Sequence, residues 1–335
     1  MKILVTGGLG FIGSALIRSL LNDKNNQILN IDKCSYASMP EALEEKSAYI
    51  NYSFQKADIV EAKKLDSIIK DFMPNKIFHL AAESHVDRSI TGPQEFINTN
   101  IQGTFNILES IRKNLKNLPK DFILIHVSTD EVFGSLKLDD NLFSETSAYS
   151  PNSPYSASKA SSDLLVRAWN KTYGIKTAIT NCSNNYGPWQ NPEKLIPKTI
   201  VNALNKQPIP IYGKGINIRD WLHVSDHVNA LIKISDTKQN FSKYNIGGNQ
   251  EMKNIDLVNI ICDHLDQKIP IASKYSNLIT FVEDRLGHDL RYAIDASKLT
   301  KDLGFEPEYL LENGIKETVD WYVDNLDWVK TKVSQ

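Results

Sequence analysis

Short apolar runs alternate with helical patterns through the first half of the chain. Ile3 to Val5 reads as a strand, and apolar positions recurring from about Phe11 to Leu21 read as a helix. Gln27 to Ile31 and Tyr52 to Ala57 read as two more strands, followed by a polar helix from about Glu61 to Phe72. Lys76 to Leu80 is a fourth strand, and a long helix runs from about Gln94 to Ile111. Phe122 to Val127 is a fifth strand, a helix covers about Ser156 to Tyr173, and Thr177 to Asn181 is a sixth strand. Short strands alternating with helices predict βαβ units on a parallel sheet, and right-handed crossovers make that sheet doubly wound. After Asn181 the texture changes. Asn, Pro and Gly become dense, as in Asn184-Asn185-Tyr186-Gly187-Pro188, and the alternation is lost. The expected division is a sheet-bearing domain over 1–181 and a smaller, mixed α/β substrate domain over 182–335, lying on the sheet's carboxyl edge. The segment 219–236 is left open as a return to the first domain.

Composition narrows the class. At roughly 150 residues per domain, a chain of 335 residues suggests about two domains. Such a chain buries about three quarters of its unfolded surface, so it needs no metal or disulfide to fold. The net charge of −2 excludes a polybasic nucleic-acid binder and an acidic tail. No apolar stretch approaches the length of a membrane span, and Ile3-Leu4-Val5 is too short for a signal-peptide core. Cys34, Cys182 and Cys262 are few and far apart, which fits a reducing, cytoplasmic setting.

The first turn carries candidate chemistry. Thr6-Gly7-Gly8-Leu9-Gly10-Phe11-Ile12-Gly13 follows a strand and opens a helix. Gly7 permits a tight turn, Gly10 lets backbone approach a pyrophosphate, and Gly13 allows close helix packing. The helix N-terminus offers unpaired N–H groups to phosphates. Asp32 lies 19 residues beyond Gly13, at the end of the second strand. A carboxylate there accepts from a ribose 2′-OH and repels a 2′-phosphate, which favours NAD over NADP; Lys33 weakens that preference slightly. Asp58 either reaches the adenine edge or caps the helix near Glu61. The expected fold is therefore a Rossmann-type doubly wound sheet with a smaller mixed α/β unit.

Tyr155 and Lys159 are four apart and share a helix face. An ammonium stabilises phenolate and makes tyrosine a usable base near neutral pH. With Ser128-Thr129 at the end of the fifth strand, the chain resembles the extended short-chain dehydrogenase/reductase superfamily, whose members bind NAD(P) and move a hydride with Thr or Ser, Tyr and Lys. Asp130 and Glu131 follow directly. Two carboxyls beside a hydride site suit an elimination, in which one removes a C–H proton and the other protonates a departing hydroxyl. Neighbouring carboxylates disfavour double ionisation, so one can stay protonated. A helix-capping or surface acid pair is the other reading.

The stretch His126-Val127-Ser128-Thr129-Asp130-Glu131-Val132-Phe133-Gly134 resembles the motif of dTDP-glucose 4,6-dehydratases. So do Ala81-Ala82-Glu83-Ser84-His85-Val86-Asp87-Arg88-Ser89-Ile90, Ser153-Pro154-Tyr155-Ser156-Ala157-Ser158-Lys159-Ala160-Ser161-Ser162-Asp163, Asn181-Cys182-Ser183-Asn184-Asn185-Tyr186-Gly187-Pro188, Glu193-Lys194-Leu195-Ile196-Pro197 and Ile218-Arg219-Asp220-Trp221. The likeness covers nearly the whole chain. It implies that Tyr155 takes the C4 hydroxyl proton while hydride leaves for NAD, that Thr129 bonds the developing carbonyl and that Lys159 supports Tyr155 and the nicotinamide ribose. It implies that Glu131 takes the C5 proton and that Asp130 protonates the C6 hydroxyl. It also implies cofactor contacts from Gly7, Gly10, Phe11, Ile12, Gly13, Asp32, Lys33, Asp58, Ile59, Leu80, Ala81, Ala82, Ser84, Thr99, Tyr155, Lys159 and Asn185. For the nucleotide sugar it implies Ser84, Thr129, Asn184, Lys194, Leu195, Pro210, Tyr212, Arg219, Asn254, Arg285 and His288. Arg219 and Arg285 suit a diphosphate because their forks make paired charge-assisted bonds. On the residues alone, each arginine is a solvated surface group or an ion-pair partner, as for Arg219 beside Asp220.

His79, His85 and His126 have no ligand spacing, so no metal is expected. Phe96, Ile97, Ile101, Phe105, Leu108 and Ile111 on one helix, and Ala160, Leu164, Leu165, Ala168 and Trp169 on another, give more apolar surface than one sheet face needs. The family pairs these helices about a two-fold axis, which implies a homodimer. Two departures stand out. Ser38 replaces a usual Gly after Asp32-Lys33, and Leu286 replaces a usual Pro in the Arg285–His288 loop. The other functional readings are a UDP-glucose 4,6-dehydratase, a nucleotide-sugar epimerase, which the acid pair argues against, and a non-catalytic NAD-sensing protein, which the intact set Thr129, Asp130, Glu131, Tyr155 and Lys159 argues against.

Overall fold

The computed structural model describes residues 1–333; residues 334–335, the end of the expected second segment, lie outside the described residues. The chain opens with β1 (Lys2–Thr6), α1 (Phe11–Leu20), β2 (Gln27–Asp32), β3 (Tyr52–Lys56), α2 (Ala62–Phe72) and β4 (Lys76–His79). Two short helices, α3 (Val86–Thr91) and α4 (Pro93–Phe96), lead into a π-helical stretch, Ile97–Gly103, and α5 (Thr104–Asn114). Then come β5 (Ile123–Thr129), α6 (Pro154–Tyr173) and β6 (Thr177–Cys182). These six strands fall within about two residues of the sequence reading; the buried ones, such as β1 and β5, are near-continuous apolar runs.

The chain continues through β7 (Asn184–Tyr186), α7 (Leu195–Leu204), β8 (Ile209–Tyr212), β9 (Ile218–His223) and α8 (Val224–Ser235). It then adds a seventh strand to the main sheet, β10 (Phe241–Ile246), which the sequence reading missed. β10 pairs in parallel with β6, giving the order β10-β6-β5-β4-β1-β2-β3. All neighbours in this sheet run parallel. The order reverses between β1 and β4, and ligands in such sheets bind at that switch point, outside the strands' carboxyl ends.

α8 also returns to the main sheet. Val224, Val228, Leu231 and Ile234 join the cluster of Ile3, Val5, Ile125 and Ala178. The seam expected at 181 is thus recrossed by α8 and β10, so 182–335 is not one contiguous unit. β9, which the open segment 219–236 also contained, belongs elsewhere. It carries a small sheet with β7, β11 (Glu251–Lys253) and β13 (Arg291–Tyr292). Around it pack α7, α9 (Asn254–Lys268) and α11 (Leu311–Asp324), burying Ile196, Ile200, Leu257, Ile261, Ile315 and Val319. β8 pairs in parallel with β12 (Ile279–Val282), and α10 (Ser297–Leu303) and α12 (Leu326–Val333) complete the described chain.

Two helices position the site. α6 begins with a reciprocal cap: Ser153 Oγ accepts from Ser156 N at 3.1 Å, and Ser156 Oγ accepts from Ser153 N at 3.0 Å. Pro154 stands at the first helical position and Gly174 closes the helix at φ 72°. Such a cap contributes about 1 kcal/mol, and it fixes the turn that carries Tyr155. The helix expected over Gln94 to Ile111 is interrupted by the π stretch, where Gly103 meets Ile59 so closely that a Cβ would lie 2.4 Å from Ile59 Cδ1. The widened turn lets Asn100 pin the chain after β4. Its Oδ1 accepts from Glu83 N at 2.9 Å, and its Nδ2 donates to Glu83 O at 3.0 Å and Ser158 Oγ at 2.8 Å. Such π turns recur at functional sites.

Candidate active site

One cleft runs over the switch point, from the first turn to the ends of β5 and β6. It is lined by all the residues expected to hold the cofactor: Gly7, Gly10, Phe11, Ile12, Gly13, Asp32, Lys33, Asp58, Ile59, Leu80, Ala81, Ala82, Ser84, Thr99, Tyr155, Lys159 and Asn185. Thr129, Asp130, Glu131, Asn184 and Lys194 line the same cleft.

The glycine turn is a cradle that side chains would fill. Gly7 has φ +72°, and a Cβ there would lie 2.6 Å from Ala81 N. A Cβ on Gly13 would lie 2.2 Å from Gly7 O, so this glycine serves the turn itself as much as helix packing. Gly10 starts α1 with no side-chain cap, which leaves first-turn N–H groups facing the cleft. Asp32 is held rigidly. Its Oδ2 accepts from Leu9 N at 3.0 Å, and its Oδ1 accepts from Cys34 N at 2.8 Å and Ser38 Oγ at 3.0 Å. Ser38 therefore does not disturb the loop: it lies outside the left-handed region and its hydroxyl orients the acid. Lys33 Nζ pairs with Glu83 Oε1 at 2.7 Å. Asp58 is not a helix cap. α2 starts after Glu61, and Asp58 Oδ1 accepts from Val60 N at 3.0 Å.

The catalytic candidates meet at the carboxyl end of β5 and the start of α6. Thr129 Oγ1 donates to Asp130 Oδ1 at 3.3 Å and accepts from Glu131 N at 3.2 Å. Asp130 is 2% exposed, and its Oδ2 has no hydrogen-bond partner among the described residues. Burial first, and then the Glu131 charge, push the Asp130 carboxyl well above its usual range. Burial also raises Glu131, while Arg219, Lys194 and Arg285 pull it back. Both carboxyls are thus raised, and three nearby cations oppose the rise at Glu131.

Tyr155 departs from the sequence reading. Its phenol is pushed up, not down, by burial and then by Glu131, while the Thr129 hydroxyl beside it pulls the other way. Lys159 Nζ donates to Val127 O at 2.8 Å. Burial lowers Lys159, and Asp163 counters this. Asp163, to which the sequence reading gave no role, sits four residues past Lys159 on the same face of α6. It accepts from Tyr149 OH at 2.8 Å, Ser128 Oγ at 3.0 Å and Asn181 Nδ2 at 3.2 Å, and lies 3.1 Å from His126 Nε2. The i, i+4, i+8 spacing of Tyr155, Lys159 and Asp163 was the available signal.

The expected nucleotide-sugar residues divide in two. Ser84, Thr129, Asn184 and Lys194 face the cleft, with Lys194 Nζ donating to Ser84 O at 3.2 Å. Leu195, Pro210, Tyr212, Arg219, Asn254, Arg285 and His288 do not line it and belong to the smaller unit. Arg219 is neither solvated nor paired with Asp220. It is 6% exposed, donates to Ile218 O at 2.7 Å and Asp289 O at 2.9 Å, and lies over the Tyr292 ring at 4.3 Å. Asp220 instead accepts from Gly248 N and Gln250 N. Asn254 begins α9 with its Oδ1 buried and, among the described residues, unpartnered. His288 Nδ1 lies 2.6 Å from Asp284 Oδ1, and Leu286 projects into solvent at 78% exposure. Glu193, also given no role by the sequence reading, gathers His85 Nε2 at 3.5 Å and Tyr36 OH at 3.4 Å at the cleft edge. His79 and His126 are buried side by side, with ring centroids 5.2 Å apart, and burial lowers both.

Comparison with known proteins identifies the family. Residues 4–318 match the family model described as GDP-mannose 4,6 dehydratase. The chain is 52% identical to a dTDP-glucose 4,6-dehydratase of Salmonella typhimurium, over 98% of this chain and 94% of that one. A dTDP-glucose 4,6-dehydratase of Bacillus anthracis solved in complex with NAD superposes with TM-score 0.88 at 40% identity, covering 99% of each chain. The enzyme of the same name from Streptomyces venezuelae, also solved with NAD bound, gives TM-score 0.90 at 39% identity over 98% of each chain. Sequence and fold agree end to end, and the chain belongs to the dTDP-glucose 4,6-dehydratase family.

Proposed function

We propose that this protein removes water from dTDP-glucose to give dTDP-4-keto-6-deoxyglucose, with NAD held and regenerated in each turnover. The observation that carries the reading is geometric: Thr129 and the adjacent carboxyls of Asp130 and Glu131, at the end of β5, line one cleft with Tyr155 and Lys159. An oxidoreductase or epimerase needs no such pair beside Tyr155.

The cleft fits the cofactor. The cradle at Gly7 and Gly13 excludes side chains, the start of α1 offers N–H groups to a pyrophosphate, and the oriented Asp32 suits a ribose diol. Bound NAD supplies hydride acceptance at C4 and return at C6, and its nicotinamide charge adds the cation that a buried Tyr155 phenolate needs. Tyr155 Oη takes the C4 hydroxyl proton. Thr129 Oγ1 bonds the new carbonyl oxygen, and Lys159 orients the sugar side of the cofactor. The ketone acidifies C5–H, Glu131 takes that proton, and Asp130 gives its own to the C6 hydroxyl, which leaves as water. Glu131 then returns its proton to C5. The low exposure of Asp130 and Tyr155 keeps bulk water from these steps.

Incubation with dTDP-glucose and, separately, UDP-glucose tests the reading by mass spectrometry. A product lighter by one water from dTDP-glucose is expected; unchanged mass with both sugars refutes a dehydratase.

We infer a homodimer as well. Leu164, 57% exposed, and Ile97 and Ala168 stand in solvent on the helices whose other faces cover the sheet. Sedimentation should give a single species of twice the chain mass, and a monomer at micromolar concentration would contradict it. Three unpaired cysteines support a reducing, cytoplasmic setting. Among the described residues, no helix is long and apolar enough to cross a membrane.

A further inference from the structure

Asp87 has no role in the scheme above, yet it joins α3 to the smaller unit close to Lys194, which lines the cleft. It lies on α3, which packs against α6. From there its carboxylate reaches two residues of the smaller unit. Arg285 Nε lies 2.5 Å from Asp87 Oδ1 and Arg285 Nη2 lies 3.0 Å from Oδ2, a two-bond fork. Tyr212 OH donates to Oδ2 at 3.2 Å. Tyr212 ends β8 and Arg285 follows β12, and these strands pair with Val282 opposite Tyr212. The Arg285 guanidinium also lies 5.1 Å from the Tyr212 ring centre. One carboxylate therefore fixes an arginine and a tyrosine that leave neighbouring strand ends together.

The fork uses only one edge of the guanidinium. Nε and Nη2 face Asp87, and the edge carrying Nη1 is left for a second anion. An arginine on an irregular loop otherwise loses rotamer entropy on binding, and a partner that restrains it beforehand reduces that cost.

We infer that Asp87 is a positioning residue for the substrate's diphosphate. It holds Arg285 and Tyr212 ready close to the cleft and ties α3 to the smaller unit. This rests on the proposed reading, in which the nucleotide diphosphate lies on that side.

The test compares wild type, Asp87→Asn, Arg285→Lys and the double variant by steady-state kinetics, by equilibrium binding of dTDP alone and by thermal unfolding. Asp87→Asn keeps the shape and removes the charge. It should raise KM for dTDP-glucose and Kd for dTDP about tenfold each, some 1.4 kcal/mol. Its kcat should stay within about twofold and its Tm within about 2 °C, because Asp87 touches no reacting atom and is partly exposed. Arg285→Lys keeps the charge and loses the fork. The double variant should be no worse than the weaker single, because both act through one pair. Unchanged dTDP affinity in Asp87→Asn overturns the inference. So does tighter affinity, which would make Asp87 a competitor of the diphosphate. So does full additivity in the double variant. If wild type binds dTDP but releases no water from dTDP-glucose, the proposed function fails while the binding arm still decides the role of Asp87.

Discussion

Glu131→Gln should let C4 oxidation proceed and stop the reaction before water leaves. Turnover is expected to fall about a hundredfold to ten-thousandfold, the usual worth of a positioned general base. Reduced cofactor should accumulate, visible as nicotinamide absorbance, because Tyr155, Thr129 and Lys159 keep their places. The glutamine can keep the backbone bond from Glu131 N to Thr129 Oγ1 but cannot take a proton from C5. Wild type in deuterium oxide should place deuterium at C5 of the product, and Glu131→Gln should place none in recovered sugar. The upward shift that burial gives Glu131 suits it to this step. A base whose pKa lies nearer the working pH accepts a carbon-bound proton more readily than an ordinary carboxylate. Removing Glu131 also removes a charge that raises Tyr155, so oxidation should be no slower than in wild type. Normal turnover of Glu131→Gln would refute the assignment of the base.

The cofactor half of the cleft was readable in the sequence because its determinants are local. Gly7, Gly10 and Gly13 lie in one turn, and Asp32 lies one strand and one helix away. Backbone geometry alone brings them together. The acid pair was readable for the same reason, since Thr129, Asp130 and Glu131 are consecutive at a strand end. The substrate half is different. Lys194, Tyr212, Arg219, Asn254 and Arg285 come from five separate places, and their spacing says nothing about who faces whom. Only the family likeness suggested them. It did not reveal that Asp87 holds Arg285 or that Arg219 is bound to backbone carbonyls.

The missed strand has a physical reason. β10 is an edge strand reading Phe-Ser-Lys-Tyr-Asn-Ile, and Ser242, Lys243 and Asn245 break the apolar run expected of a buried parallel strand. Asn245 is nonetheless buried, because its N–H donates to Glu145 Oε1 and its Nδ2 to Phe143 O from a loop that covers this edge. That cover is tertiary and leaves no periodic trace. The expected fall of the Tyr155 pKa failed for a related reason. Spacing shows that Tyr155 and Lys159 share a face, but not that Lys159 Nζ points to Val127 O or that burial dominates.

Asp130→Asn separates the two acids and exposes a cost built into the site. Asparagine cannot protonate the C6 hydroxyl, so turnover should again fall about a hundredfold to ten-thousandfold. The stalled step differs from that in Glu131→Gln. Glu131 remains, so deuterium should enter C5 while the sugar keeps its C6 oxygen, an outcome opposite to that of the Glu131 variant. Stability carries a second signature. The native carboxyl of Asp130 is raised above its unfolded value of about 3.9 by burial and by Glu131. Native protein then holds a proton that the unfolded chain releases. That contribution to stability is complete below the unfolded pKa and is lost as pH rises through the native one. Asparagine has no such loss. The Tm of Asp130→Asn relative to wild type should therefore climb as pH rises above the unfolded carboxyl's value and level off once the native carboxyl ionises, the chain gaining stability as it loses activity, as expected where a site is kept strained for function. Parallel Tm curves over that rise in pH would mean that Asp130 is not held protonated, and the division of labour between the two acids would have to be reversed.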